Sequence, residues 1–146
     1  MDVVRRWGQS PYWRNIEKSL KEKEAFNHTI AMLHVAEHLE WGGHRVEIIR
    51  EGLGPSPDLM LPAIGGSRDA VVLECYQPAV LWDKPSELGI KEAESVVEKS
   101  VEEAERQIGT DVPGIFALGG SNQSSDNLSV LREVVGRRLA KTVFAD

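Results

Sequence analysis

Two acidic residues stand where one divalent ion could be shared. Asp58 follows Pro57, and Glu74 lies sixteen positions later in Glu74-Cys75-Tyr76, at the end of the apolar run Val71-Val72-Leu73. If both sit at the edges of adjacent strands, their carboxylates converge, with the backbone carbonyl of Cys75 as a third oxygen ligand. A few hard oxygen ligands that leave room for water and phosphate suit Mg²⁺ or Mn²⁺. Such an ion polarises a phosphodiester and lowers the pKa of an attacking water.

The elements that must position this pair are readable from periodicity. A helical pattern runs from Asn15 to about Trp41, as one helix or as two with a break near Asn27, and Gly42-Gly43 stops it. Ala31, Met32, Val35, Ala36 and Leu39 recur on one side at helical spacing. His44 to Arg50 alternates as a strand does. Asp58-Leu59-Met60-Leu61 predicts a second strand and Ala70 to Tyr76 a third, with Gly65-Gly66-Ser67-Arg68 turning between them as a hairpin. Antiparallel pairing brings the start of one such strand beside the end of the other, which is where Asp58 and Glu74 lie.

Ser86 is placed to cap a helix running to Ile108, with Ile90, Val97, Val101, Ala104 and Ile108 on its apolar side and Gly109 at its end. Gly114 to Leu118 is short and fully apolar, as in strands buried on both faces of a mixed or parallel sheet. A last helix is expected from Asp126 to about Lys141, with Leu128, Leu131, Val134, Val135 and Leu139 inward. The expected order is α-β-β-β-α-β-α.

In its motifs and this order of elements, the chain resembles the PD-(D/E)xK nuclease superfamily, which includes many restriction enzymes, Holliday-junction resolvases and repair nucleases. Pro57-Asp58, the strand ending Glu74-Cys75-Tyr76 and the elements from about Ala31 to Leu118 carry the resemblance. It implies a restriction-endonuclease-like α/β core, a mixed central sheet flanked by helices. In active members it implies Mg²⁺-dependent cleavage of DNA, with Asp58, Glu74 and Cys75 at the metal. Family nucleases that cut both strands commonly pair two active sites, so a homodimer is implied for a member that does the same.

Two positions depart from the pattern. Tyr76 stands where the family lysine falls, and a neutral phenol does not replace a cation electrostatically. Lys91, on the helix after the hairpin, and Lys84, in the loop before it, are the candidates to supply one. Met32 stands where the first helix often carries a glutamate; Glu37 and Glu40 are nearby but out of register. Two functions therefore remain: a Mg²⁺- or Mn²⁺-dependent deoxyribonuclease with Asp58, Glu74, Tyr76 and Lys91 as catalytic candidates, or a catalytically inactive binding or assembly module of the same fold.

Other signals compete. His34-Val35-Ala36-Glu37-His38 matches the H-x-x-E-H pattern of inverted zinc peptidases, and a third ligand would have to come from Glu102, Glu103 or Glu105. A polar helix face explains the same residues. Gly119-Gly120-Ser121-Asn122 could cradle phosphate but lacks a P-loop's Gly-Lys-Ser/Thr. Arg5, Arg6 and Arg14, with Trp7, Tyr12 and Trp13, form an arm over residues 1–14 that either docks on the domain or grips nucleic acid. Arg132, Arg137, Arg138 and Lys141 add a basic edge on the last helix.

Composition bounds these readings. The 146 residues suit one domain over 1–146. Cys75 is the only cysteine, which excludes an intrachain disulfide and a thiolate zinc cluster. The start of the chain lacks the pattern of a signal peptide and no apolar run is long enough to span a bilayer, so a cytoplasmic protein with no membrane contact is expected. A net charge of −6 leaves room only for a local basic face toward DNA.

Overall fold

The computed structural model describes residues 7–49, 56–63, 70–78, 81, 87–109, 113–119 and 123–143, with the side chains of 24 and 139–143 left aside. Among the described residues the elements follow in the order α1 (Trp13–Ser19), α2 (Lys23–Trp41), β1 (Glu47–Ile48), β2 (Leu59–Leu61), β3 (Val71–Tyr76), α3 (Ile90–Ile108), β4 (Gly114–Leu118) and α4 (Ser125–Val143). The four strands form one mixed sheet in the order β1-β2-β3-β4. The first two pairings are antiparallel and β3 with β4 is parallel. A parallel pair needs a crossover, and α3 lies between β3 and β4 in the chain to supply it.

Successive residues of a strand point to opposite faces, and β3 uses both. Leu73 and Cys75 enter a core with Trp7, Ile16, Met32, Leu33, Ala36, Val46, Ile48 and Leu59. Tyr76 borders α3 instead, and Leu118 of β4 packs into a second core of Leu81, Leu88, Ala93, Val96, Val97, Leu131 and Val134. The result is three layers: α1 and α2, the sheet, then α3 and α4.

Several boundaries differ from expectation. The first break falls at Leu20–Glu22 rather than near Asn27, and Lys21 reaches back to Glu17 across the end of α1. Only Glu47 and Ile48 of the alternating stretch pair as a strand. Helix α3 begins at Ile90 after Gly89, not at Ser86, which lies outside the described residues, as do Gly65–Arg68. Its charges follow the helix dipole, with Glu92 in the first turn and Arg106 in the last. Strand β4 is not buried on both faces: Gly114 and Ile115 are exposed, Ile115 at 46%, and β4 is the edge of the sheet among the described strands. Gly109 ends α3 at φ 73° and ψ −167°, a region essentially reserved for glycine.

Candidate active site

Asp58 sits one residue before β2, yet its backbone is held as firmly as a ladder position. Its N–H donates to the Leu73 carbonyl at 3.0 Å, and its own carbonyl accepts from Ile49 N–H at 2.8 Å. The side chain is oriented from two directions. Oδ2 accepts the Cys75 backbone N–H at 2.8 Å, and Oδ1 lies 3.1 Å from Nε2 of His28 on α2. The segment before Asp58 is tied to α3, where Gln107 Oε1 accepts the Ser56 N–H at 2.8 Å.

Glu74, on β3, is 5% exposed and its Oε2 is buried without a hydrogen-bond partner among the described residues. Burial pushes its pKa up to about 7, the nearby Asp58 charge adds to the rise, and His28 opposes it. Glu103 of α3 raises it further. Glu103 itself is held below the usual carboxylate range by hydrogen bonds from Arg106 and Gln107. A hydrogen bond with the Asp58 backbone also lowers the Glu74 pKa, so the uncompensated atom is Oε2, a buried oxygen near a second carboxylate.

The Cys75 side chain is in the α2-side core, and burial raises its thiol pKa, so any part in ion binding falls to its backbone. The N–H and C=O of one strand residue point toward the same neighbouring strand. Since the Cys75 N–H reaches Asp58, its carbonyl is directed to that side as well. Tyr76 shares a cleft of about 360 Å³ with Pro78, Glu92, Ser95, Val96, Lys99 and Ser100. Lys91 is exposed in the first turn of α3 and does not line that cleft, whereas Lys99, eight positions on, does. Lys84, Arg5, Arg6 and Gly120–Asn122 lie outside the described residues.

On α2, the residue against Asp58 is His28, which sequence reasoning missed. Met32, one turn on, is buried in the core, and both border a small cavity with Asp58. Only a periodicity signal was available: His28 and Met32 are four apart and share a helix face.

For the zinc pattern, His34 and His38 are both exposed, and the proposed third ligands are on α3, across the sheet from α2. Among the described residues no group of three or more His, Cys, Asp or Glu is arranged to hold a metal ion. Mg²⁺ is commonly bound through one or two carboxylates plus water and phosphate, so Asp58 and Glu74 are the residues here that could hold one. No helix among the described residues is long and apolar enough to cross a membrane. Compared with protein-family models, with curated proteins and with solved structures, the chain matches none.

Proposed function

We propose that this chain is a restriction-endonuclease-like, metal-dependent DNA endonuclease whose reaction centre is Asp58 and Glu74. The observation that carries the reading is the buried, unpartnered oxygen of Glu74 beside a carboxylate already fixed by a backbone N–H. Such a pair is unfavourable without a cation and favourable with one. The sheet order, with two antiparallel pairings followed by a parallel one, supports the same fold assignment.

Asp58 and Glu74 would hold Mg²⁺ or Mn²⁺, with the Cys75 carbonyl on the same side. The ion supplies polarisation of the phosphodiester and acidification of water. The protein's share is preorganisation. The Cys75 N–H and His28 hold the Asp58 carboxylate in one orientation, and the Gln107 bond to Ser56 fixes the approach to it. Glu74 contributes a carboxylate that loses its proton near neutral pH, so ion binding competes with protonation below about pH 7.

The test is nicking of supercoiled DNA with Mg²⁺ or Mn²⁺. Purified protein is expected to convert it to open circles, and Asp58→Ala and Glu74→Ala are each expected to lower the rate at least about a hundredfold. Intact supercoiled, linear and branched DNA in either ion would refute cleavage. Titration of the ion by calorimetry, with Glu74→Gln as the control, reads the metal site independently.

The second reading is a binding or assembly module of the same fold that does not cut. Tyr76 favours it, because no cation occupies that strand position.

A further inference from the structure

We infer that the cleft between the end of β3 and the middle of α3 is a binding site for the phosphodiester backbone of a nucleic-acid strand, with Lys99 as its cation and Tyr76 and Ser95 as hydroxyl donors. This inference rests on the nuclease reading, since it names what lies beside Glu74 on the substrate.

Tyr76 is two residues after Glu74 on β3, so both project to the α3 face, about 7 Å apart along the strand. The cleft that Tyr76 opens is about 360 Å³, too small for a folded partner and ample for a stretch of backbone. Lys99 and Ser95 come from one face of α3, four residues apart and therefore one above the other. Together with the phenol they present an ammonium and two hydroxyls, donors that suit a phosphate oxygen.

The remaining polar groups sharpen the assignment. Ser100 is turned inward, its hydroxyl donating to the Val96 carbonyl at 2.6 Å, and takes no part. Glu92 lies seven residues before Lys99, about 10 Å along the helix, and disfavours an anion at that end. Glu103, one turn beyond Lys99 toward Glu74, is held by Arg106 and Gln107. The donors are thus concentrated between Glu92 and the carboxylate pair. The chain's net charge of −6 makes this local cation matter more, because the surface as a whole repels a polyanion. Tyr76 thereby takes a role: it leaves the cation to the helix and offers a neutral donor beside it.

The experiment is fluorescence anisotropy of a short labelled DNA duplex and of its single strand, in Ca²⁺ buffer, across a salt series. Lys99→Ala is expected to weaken binding about fivefold or more and to reduce the salt slope by about one. Lys99→Glu is expected to weaken it further, and Tyr76→Lys in the Lys99→Ala background to restore it. Lys18→Ala, an exposed lysine of α1, sets the baseline. Lys99 is exposed, and unchanged thermal melting of each variant checks that folding is preserved.

Binding and salt slope that do not respond to Lys99→Ala would overturn the inference, even if Asp58→Ala abolishes nicking and the nuclease reading stands. Lys99-dependent binding without any nicking would sustain the site and refute the nuclease. Displacement of the duplex by low concentrations of inorganic phosphate would point to a free-anion pocket and overturn the phosphodiester assignment. No binding of either DNA would overturn both.

Discussion

Glu74 is the residue whose chemistry most constrains the site. A carboxyl with a pKa near 7 in the folded chain and an ordinary one near 4.5 when unfolded binds a proton in the native state that the unfolded chain has lost. Between those values folding is linked to proton uptake, so stability falls as pH rises from about 4.5 to about 7 and is level above that. Across that interval the group accounts for a fall on the order of 3 kcal/mol. Glu74→Gln is therefore expected to flatten the pH dependence and to raise stability above pH 7, read from urea unfolding midpoints across pH. A saturating divalent ion should have a similar effect on the unaltered protein, because it stabilises the ionised form. An unchanged pH profile in Glu74→Gln would show that the carboxyl is hydrated rather than buried. His28 belongs to the same scale: a single imidazole against Asp58 Oδ1 supplies an orienting contact.

At the scale of elements, the crossover helix α3 does the most positioning. It carries Gln107 and Glu103 toward the Asp58 segment and Lys99 toward Tyr76, all on one side of one helix. Where α3 ends is set by Gly109, whose φ of 73° and ψ of −167° cost a residue with a Cβ roughly 1–3 kcal/mol. The space around Gly109 is open, so Gly109→Ala is expected to lower stability by that backbone strain alone and not by a clash. The melting temperature should fall while the far-ultraviolet spectrum is kept. This helix was legible in the sequence because apolar positions recur at three- and four-residue steps over five turns. Its start was not, since Glu87, Leu88 and Gly89 carry no cap and the Leu88 N–H is instead taken by Asn127 from α4.

At the scale of the whole molecule, the described residues form a core on each side of the sheet. Leu33 is fully buried in the first, beside Leu73 and Cys75, the strand residues that flank Glu74 in sequence. Leu33→Ala is expected to cost roughly 2–5 kcal/mol through lost transfer energy and the cavity left behind. If the packing of α2 on β3 also fixes the carboxylate pair, the variant should bind Mg²⁺ more weakly even under conditions where it remains folded, measured by calorimetry. The second core closes over a buried polar chain in which Asn127 Nδ2 donates to Gln123 Oε1 and Gln123 Nε2 to the Leu81 carbonyl. That network ties the segment after β3 to α4, and nothing in the local pattern of Gln123 or Asn127 announced it.

The sequence by itself determined the order of elements and put Asp58 at the start of one strand and Glu74 near the end of its neighbour. Period-two and period-3.6 patterns report local geometry, and antiparallel pairing then follows from the short connection between β2 and β3. Only the tertiary structure decided which helical side chains meet that pair. A helix's apolar stripe tells which side is inward but not its rotation or axial position against a strand. A shift of one turn exchanges Met32 for His28, and a shift of two exchanges Lys91 for Lys99. Contacts made across the sheet by residues far apart in the chain depend on that placement, and side-chain spacing along one element does not encode it.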